Sequence, residues 1–292
     1  MVRVSVVMPV HNGAAGLAAT LDSILTQSLS DFELIAVDDG STDETPALLA
    51  QAAGRDPRVR VLRQENAGIT RALIRGCAEA RAELIARHDC GDRSRPERLE
   101  RQCALFDDAD VVLAACFVRT VAPGGECLYV TEADGDAVRR SLLEDDVDRV
   151  RALPHHGTAM FRRAAYDAAG GYRPQFYFAQ DVDLWIRMAR HGRIAIVPEV
   201  LYEATVATGA ISSRNRAEQF ESARLSIAIR DGGNEQALLA RAAEIRPRGG
   251  RAGAVGDARA LYFIASCLRR NGDRAWRRYA RAALLRLAGV RS

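Results

Sequence analysis

The sequence predicts an α/β protein: a Rossmann-like, mostly parallel sheet flanked by helices, followed by a C-terminal helical extension. Three observations lead there. Apolar β-branched runs alternate with helix-period stretches from Val2 to about residue 104, the rhythm of βαβ units. The runs are apolar without alternation, as strands buried on both faces are. From about Arg214 onward only helical periodicity remains.

Val2 to Met8 reads as the first strand, and Pro9-Val10-His11-Asn12-Gly13 as the turn after it. Leu17, Leu21, Ile24 and Leu25 mark the first helix. Phe32 to Val37 is the second strand and runs into Asp38-Asp39-Gly40-Ser41-Thr42-Asp43. Thr42 or Asp43 is placed to cap the next helix, with Pro46 in its first turn. Val59 to Leu62 is the third strand, Thr70 to Ala82 a helix, and Leu84 to Arg87 the fourth strand. Beyond the Asp89 to Arg95 turn, Pro96, Leu99 and Cys103 begin another helix. Val111 to Val118 and Cys127 to Val130 suit a hairpin around Pro123-Gly124-Gly125. A short helix starts near Asp136, and another at Gln180. Ile194 to Val197 and Val200 to Tyr202 read as two short strands. Pro247 to Arg251 breaks the helical region, which sets the last two Arg-rich helices apart as a candidate subdomain.

At 292 residues, 48% hydrophobic and 27% charged, the chain has a globular composition. No apolar run approaches the roughly 18 residues of a membrane span. No cleavable leader pattern follows Met1, so a cytoplasmic location is expected. The six cysteines form no C-x-x-C pair, which speaks against metal-finger and disulfide frameworks. A net charge of +3 gives no nucleic-acid signature. All 41 basic residues are arginine, and they crowd the C-terminal end.

The chemistry concentrates in Arg87-His88-Asp89-Cys90-Gly91-Asp92. Ligands of open α/β sheets bind beyond the carboxyl ends of strands, and two carboxylates on a tight turn there can hold a hard cation and, through it, phosphate oxygens. Turn formation and helix capping are the plainer roles for the same aspartates. Gly13-Ala14-Ala15-Gly16 lacks the first glycine of a dinucleotide fingerprint. Asp38 and Asp39 are adjacent, so in an extended strand they point to opposite faces and do not make a phosphatase loop.

Taken in order, Pro9-Val10-His11-Asn12, Glu33 to Asp43, Asn66 to Leu73, Asp89 to Leu99 and Gln180-Asp181-Val182-Asp183-Leu184-Trp185 resemble the family 2 glycosyltransferases over about residues 3–218. The resemblance implies a GT-A fold over residues 1–218, with a nucleotide-binding half to about 105 and an acceptor half from 106, and a helical extension over 219–292. It implies an inverting transferase that moves sugar from a nucleotide-diphosphate sugar, a UDP-sugar first among them, to a carbohydrate or lipid-linked acceptor in polysaccharide or glycoconjugate synthesis. Pro9, Val10, His11, Asn12, Asp38, Asp39, Asn66, Gly68, Arg71, His88 and Asp89 would line the donor site. Asp89 and Asp92 would hold Mn²⁺ or Mg²⁺, and Asp181 would be the general base. His156, Asp183 and Trp185 would face the acceptor, Trp185 by stacking on a sugar or as part of a buried stripe with Val182 and Ala189.

The chain departs from the family pattern twice. Gly91 stands where the main metal-binding acid is usual, so the metal is expected to bind less tightly, and Gly91→Asp to tighten it if the loop keeps the family geometry. No histidine occurs from Glu203 to Ser213. These departures motivate a rival reading, a catalytically silent sugar-nucleotide-binding or scaffold protein. A nucleotidyltransferase is a second rival, and it lacks its phosphate loop here. At the C-terminus, Ala260, Leu261, Ile264 and Leu268 form one stripe. Trp276, Tyr279, Ala280, Ala283, Leu284 and Leu287 form another. A hairpin packed on the catalytic domain is the plain expectation, and peripheral contact with an anionic membrane the sharper one.

Overall fold

The structure is a computed structural model that describes residues 2–145, 153–206, 215–247 and 251–291. The start of the helical region at Arg214, most of the histidine-free stretch and the break at 248–250 lie outside the described residues. The first four strands, β1 (Val4–Val10), β2 (Phe32–Asp39), β3 (Val59–Gln64) and β4 (Leu84–Arg87), pair in parallel in the order β3-β2-β1-β4. The sheet continues through β8 (Met160–Arg162), β6 (Val111–Val121), β9 (Arg193–Thr205) and β5 (Arg93–Ser94), with β7 (Cys127–Thr131) hydrogen-bonded to β6. In this second half only β6 and β9 run parallel. The parallel order belongs to the first half of the sheet, and the second half is mixed.

Side-chain alternation along β1 and β2 builds two cores. Val4, Val6 and Met8, with Leu34 and Ala36, face α1 (Ala14–Leu25), α2 (Thr45–Arg55) and α4 (Arg98–Ala104). Val7, Ile35 and Val37 face α3 (Ile69–Glu79) on the other side, where the same cluster reaches α5 (Gly135–Glu144), α6 (Arg163–Ala168) and α7 (Gln180–Met188). Period-2 strands with both faces apolar need helices on both sides, and the loops return them there.

Three local expectations change. β1 continues through Pro9 and Val10, which pair with Val37 and Asp38, so the turn starts at His11. α2 starts only at Thr45, after an uncapping Glu44, and of the two cap candidates it is Asp43 that satisfies its first N–H. Asp43 accepts from Thr45 N at 3.0 Å and from Ala14 N at 3.1 Å, which ties the starts of α1 and α2 together. The two short strands after Arg193 are one strand, β9. Its register against β6 passes from Cys116–Val197 to Phe117–Val200, so Pro198 and Glu199 bulge out. A proline cannot donate to a ladder, and a bulge absorbs it. The strand then carries Tyr202 and Thr205 to the turn after β4.

Four further helices follow: α8 (Arg216–Arg230), α9 (Glu235–Glu244), α10 (Arg251–Arg270) and α11 (Trp276–Arg291). Leu261, Ile264 and Leu268 of α10 and Tyr279 and Ala283 of α11 share a cluster with Ala122 and Leu128. The hairpin therefore packs on β6 and β7. Leu284 and Leu287, expected in its buried stripe, are 68% and 42% exposed. No helix among the described residues is long and apolar enough to cross a membrane.

Gly76 is the point where α3 meets the sheet: a Cβ there would lie 2.5 Å from Val7 Cγ1 and 3.2 Å from Val37 Cγ2. In an open helix Gly→Ala gains up to about 1 kcal/mol. Here overlap with two fully buried side chains outweighs that gain, so Gly76→Ala is expected to destabilise by about 1–3 kcal/mol. Urea unfolding measures it, and a gain in stability would place α3 further from the sheet than described.

Candidate active site

β4 ends at Arg87, and the chain turns through His88, Asp89, Cys90, Gly91 and Asp92 into β5. Two elements, β9 and α1, pin this turn. The Asp89 N–H donates to the Tyr202 hydroxyl at 3.1 Å, and that hydroxyl donates to Asp92 Oδ2 at 2.9 Å. Thr205 N donates to Asp92 Oδ1 at 2.9 Å. Thr20 of α1 accepts from Gly91 N at 2.9 Å and donates to the Asp92 carbonyl at 2.8 Å. Tyr202 is fully buried, with its ring against His88, His155 and the Arg98 guanidinium.

The electrostatics of the turn are severe. Arg87 is buried and ion-paired with Asp89, and its Nε has no hydrogen-bond partner among the described residues. Burial opposes the Asp89 charge, but the Arg87 guanidinium beside it outweighs burial and holds the carboxyl well below the usual range. Asp92 goes the other way. Burial, and then the Asp89 charge, push it up to about 7. Oxygens of Asp89 and Asp92 and a ring nitrogen of His155 lie within 4.8 Å of one another. His155 comes from the loop before β8 and is held neutral by burial, its Nδ1 accepting from Gly157 N at 3.2 Å. Two carboxylates and a neutral imidazole suit Mn²⁺, which accepts oxygen and nitrogen ligands. A cation would also relieve the repulsion that raises Asp92.

These groups open into a cavity of about 1010 Å³, at the large end for small-molecule sites. His156 and Asp181 line it too. His156 Nε2 lies 2.8 Å from the Tyr172 hydroxyl, and its ring meets Trp185 edge-on. Asp181 sits in the first turn of α7, directly after Ala179, whose φ of 51° is left-handed. Strain of this kind, about 1 kcal/mol or more in a non-glycine residue, is tolerated where packing over-determines a site. Asp181 is only partly covered, yet protein surrounds it, and burial raises its pKa above the ordinary carboxylate value. Arg216 and Arg259 stand exposed at the cavity mouth.

The residues expected at the nucleoside form a second cluster. His11 Nδ1 donates to the Asp39 carbonyl at 2.9 Å, and Asn66 Nδ2 approaches His11 Nε2 at 3.1 Å. Asn12 Oδ1 accepts from Thr42 N at 2.8 Å. His11, Asn12 and Asn66 are exposed, whereas Pro9 and Val10 are buried strand residues. Asp39 was expected to meet the nucleoside, but its oxygens already accept from Gln64 Nε2, Ala67 N and Gly68 N. Asp38 is buried, accepts from Ser41 N, and has Arg63 Nε 3.5 Å from its other oxygen. Gly68, with φ 88°, lies under the Tyr177 ring, and Tyr177 lines the cavity. Arg71 is exposed on α3 and does not line the cavity.

Three expected site residues sit beneath the surface. His88 was counted with the donor site, but it is 1% exposed. Its Nδ1 donates to the Asp89 carbonyl at 2.9 Å and its Nε2 accepts from Ser94 at 3.0 Å. Trp185 is 1% exposed, so its faces are closed to a sugar and the buried-stripe reading describes it. Asp183 is buried in ion pairs with Arg173 and Arg187, away from the cavity. Conversely, the sequence gives no site role to His155, Tyr202 or Tyr177, and none to Arg87 beyond its place in the acidic stretch. The doubled histidine His155-His156 was the one available signal.

The sequence model described as glycosyl transferase family 2 matches residues 5–170. A putative glycosyltransferase, EpsE, of Bacillus subtilis is 31% identical over 76% of this chain and 80% of its own. Among solved structures, S. aureus TarS in complex with UDP superposes with a TM-score of 0.59 at 17% identity, over 91% of this chain and 70% of that one. The mannosyltransferase PcManGT from Pyrobaculum calidifontis, in complex with GDP-Man and Mn²⁺, gives 0.61 at 19% identity over 98% and 86%. At such identities the likeness to the two structures is one of fold, and that fold is GT-A.

Gly91 has φ 101°, in the left-handed half of backbone space, and open space where its Cβ would be. An acid at this position therefore meets no clash but a backbone that only glycine adopts without strain. Gly91→Asp is expected to lower stability by about 1–3 kcal/mol instead of restoring a family-like loop. Thermal and urea unfolding test this, and a variant as stable as the parent would show that the turn relaxes freely.

Proposed function

The chain belongs to glycosyl transferase family 2, and from that premise we propose that it is an inverting transferase in which Asp181 activates an acceptor hydroxyl against a nucleoside-diphosphate sugar. The observation that carries the reading is the shared cavity: Asp181 opens into the same space as the Asp89, Asp92 and His155 group. A diphosphate belongs at that group and a sugar between it and Asp181. The nucleoside belongs toward His11, Asn12 and Asn66, at the carboxyl ends of β1 and β2. The UDP bound in TarS and the GDP-Man bound in PcManGT support a nucleotide-sugar donor. A UDP-sugar is the first candidate.

A hydroxyl is a poor nucleophile until its proton is removed in the transition state. Asp181 can take that proton, and one base suffices for a single displacement from the face opposite the leaving diphosphate. Its raised pKa makes it a stronger base than an exposed carboxylate. A divalent cation, Mn²⁺ or Mg²⁺, held by Asp89, Asp92 and His155, would supply positive charge to the leaving diphosphate. His156 forms the wall on the acceptor side, with Trp185 packed behind it. The silent-scaffold reading rested on the missing acid and the missing distal histidine. His155 provides an imidazole from another part of the chain, which removes half of that argument.

Asp181→Asn is expected to leave donor affinity nearly unchanged and to cut transfer about 100-fold or more. The sign of its stability effect is also fixed. A carboxyl whose folded pKa is raised favours the fold only while protonated, and it opposes the fold once pH exceeds that pKa. The asparagine variant should therefore melt no lower than the parent at pH 7, and transfer by the parent should fall as acid protonates Asp181. Transfer within a few-fold of the parent would exclude the base role.

The metal reading is tested separately by titrating Mn²⁺ into the donor-free protein in a calorimeter. His155→Ala is expected to weaken binding at least about 10-fold, and Asp181→Asn to leave it unchanged. Equal affinity of parent and His155→Ala would remove the histidine from the site.

A further inference from the structure

The C-terminal hairpin carries charge and exposed apolar surface beyond what its packing requires. Between Arg251 and Arg291 the sequence holds ten arginines and two aspartates, so this segment is +8 within a chain of net +3, and the remainder is acidic. On α10 the buried face is Leu261, Ile264, Ala265 and Leu268. The opposite face runs from Arg259, at the cavity mouth, through Tyr262 and Phe263 to Arg269 and Arg270. These positions share one side at helical spacing, and the run from Arg259 to Arg270 is about 16 Å long. Tyr262 is 68% exposed and Phe263 43%. Phe263 meets Tyr129 of β7 edge-on at 6.2 Å, and Tyr129 is itself 43% exposed. On α11, Leu284 and Leu285 are 68% and 64% exposed, with Arg281 and Arg286 beside them.

We propose that the exposed face of α10, with Tyr129 and the end of α11, docks on an anionic lipid bilayer and so presents the cavity mouth at the headgroup layer. Aromatic rings flanked by arginines are suited to the membrane–water interface, where rings enter the acyl boundary and guanidinium groups meet lipid phosphates. A second copy of the chain is a poor occupant, since it would bring two strongly positive hairpins together. The bilayer complements the hairpin, and it repels the acidic remainder, which sets one orientation. Arg259 and Arg216 then stand where an acceptor carrying a phosphate at the membrane surface would reach the cavity. The docking rests on surface composition and not on the proposed reaction, so vesicle binding and transfer can fail independently.

Cosedimentation of the full chain tests this with vesicles of phosphatidylglycerol and phosphatidylcholine in equal parts and with pure phosphatidylcholine. Binding is expected only to the anionic vesicles and should weaken as salt rises. Arg270→Gln should lower the partition coefficient about five-fold. The double variant Tyr262→Ser, Phe263→Ser should lower it on the order of ten-fold. Both rings are exposed and outside the cavity lining, so melting and transfer to a soluble acceptor should stay at parental values. A chain that remains in solution with anionic vesicles at low salt overturns the proposal. A serine double variant that binds as well as the parent overturns the assignment of this face.

Discussion

Two charge-bearing groups buried in one turn, with a third half-buried beside them, constrain this molecule. Arg87 and Asp92 are shut away from solvent, Asp89 lies half-buried between them, and the two carboxylates repel each other. Much of the second half of the sheet supplies what they lack. β9 bulges at Pro198 and so delivers the Tyr202 hydroxyl and the Thr205 amide to Asp92. α1 delivers Thr20 to the backbone of the same turn. Removing a partner from such a group leaves an uncompensated buried charge, which costs several kcal/mol. The fold therefore holds the turn tightly, whether or not a ligand is bound.

The cavity and the nucleoside-side cluster differ in how much bonding capacity they leave open. Asp39 and Asp38 serve mainly to close loops: Asp39 gathers the backbone of 67 and 68, and Asp38 holds Ser41. Of the residues proposed for the nucleoside, His11, Asn12 and Asn66 are the exposed ones, and they already touch one another. A ligand there must exchange these contacts for its own, so part of its binding energy is offset. The carboxylate group is the opposite case, because a cation would remove a repulsion.

Much of the fold was legible because burial of both strand faces leaves a plain apolar pattern. β4 matches its expected bounds, and β2 differs only by its two terminal aspartates. Boundaries failed where the decisive partner was distant in sequence. Pro9 looks like a turn residue until β2 is seen to pair with it. Pro198 divides β9 on paper, yet a bulge carries the strand across it. The site was legible in its aspartates and obscure in its supports. Nothing near His155 says that it will meet Asp89, 66 positions away, and Trp185 in a helix can be read as core or as platform. Leu284 and Leu287 kept the right period for burial, but the neighbouring surface ends before it reaches them.

Gly16 and Gly91 lie against each other: a Cβ on Gly16 would come within 2.8 Å of Gly91 Cα. Glycine is thus required at both positions, at 16 by contact and at 91 by its backbone. A residue with a side chain at 16 would push the acidic turn off α1, and a residue other than glycine at 91 would ask that turn for another backbone path. A descendant could not gain an acid at 91 by a single change without loss of stability. The missing carboxylate is in this sense entrenched, and lineages that share Gly91 should vary in the residues that ligate around it before they vary at Gly91 itself.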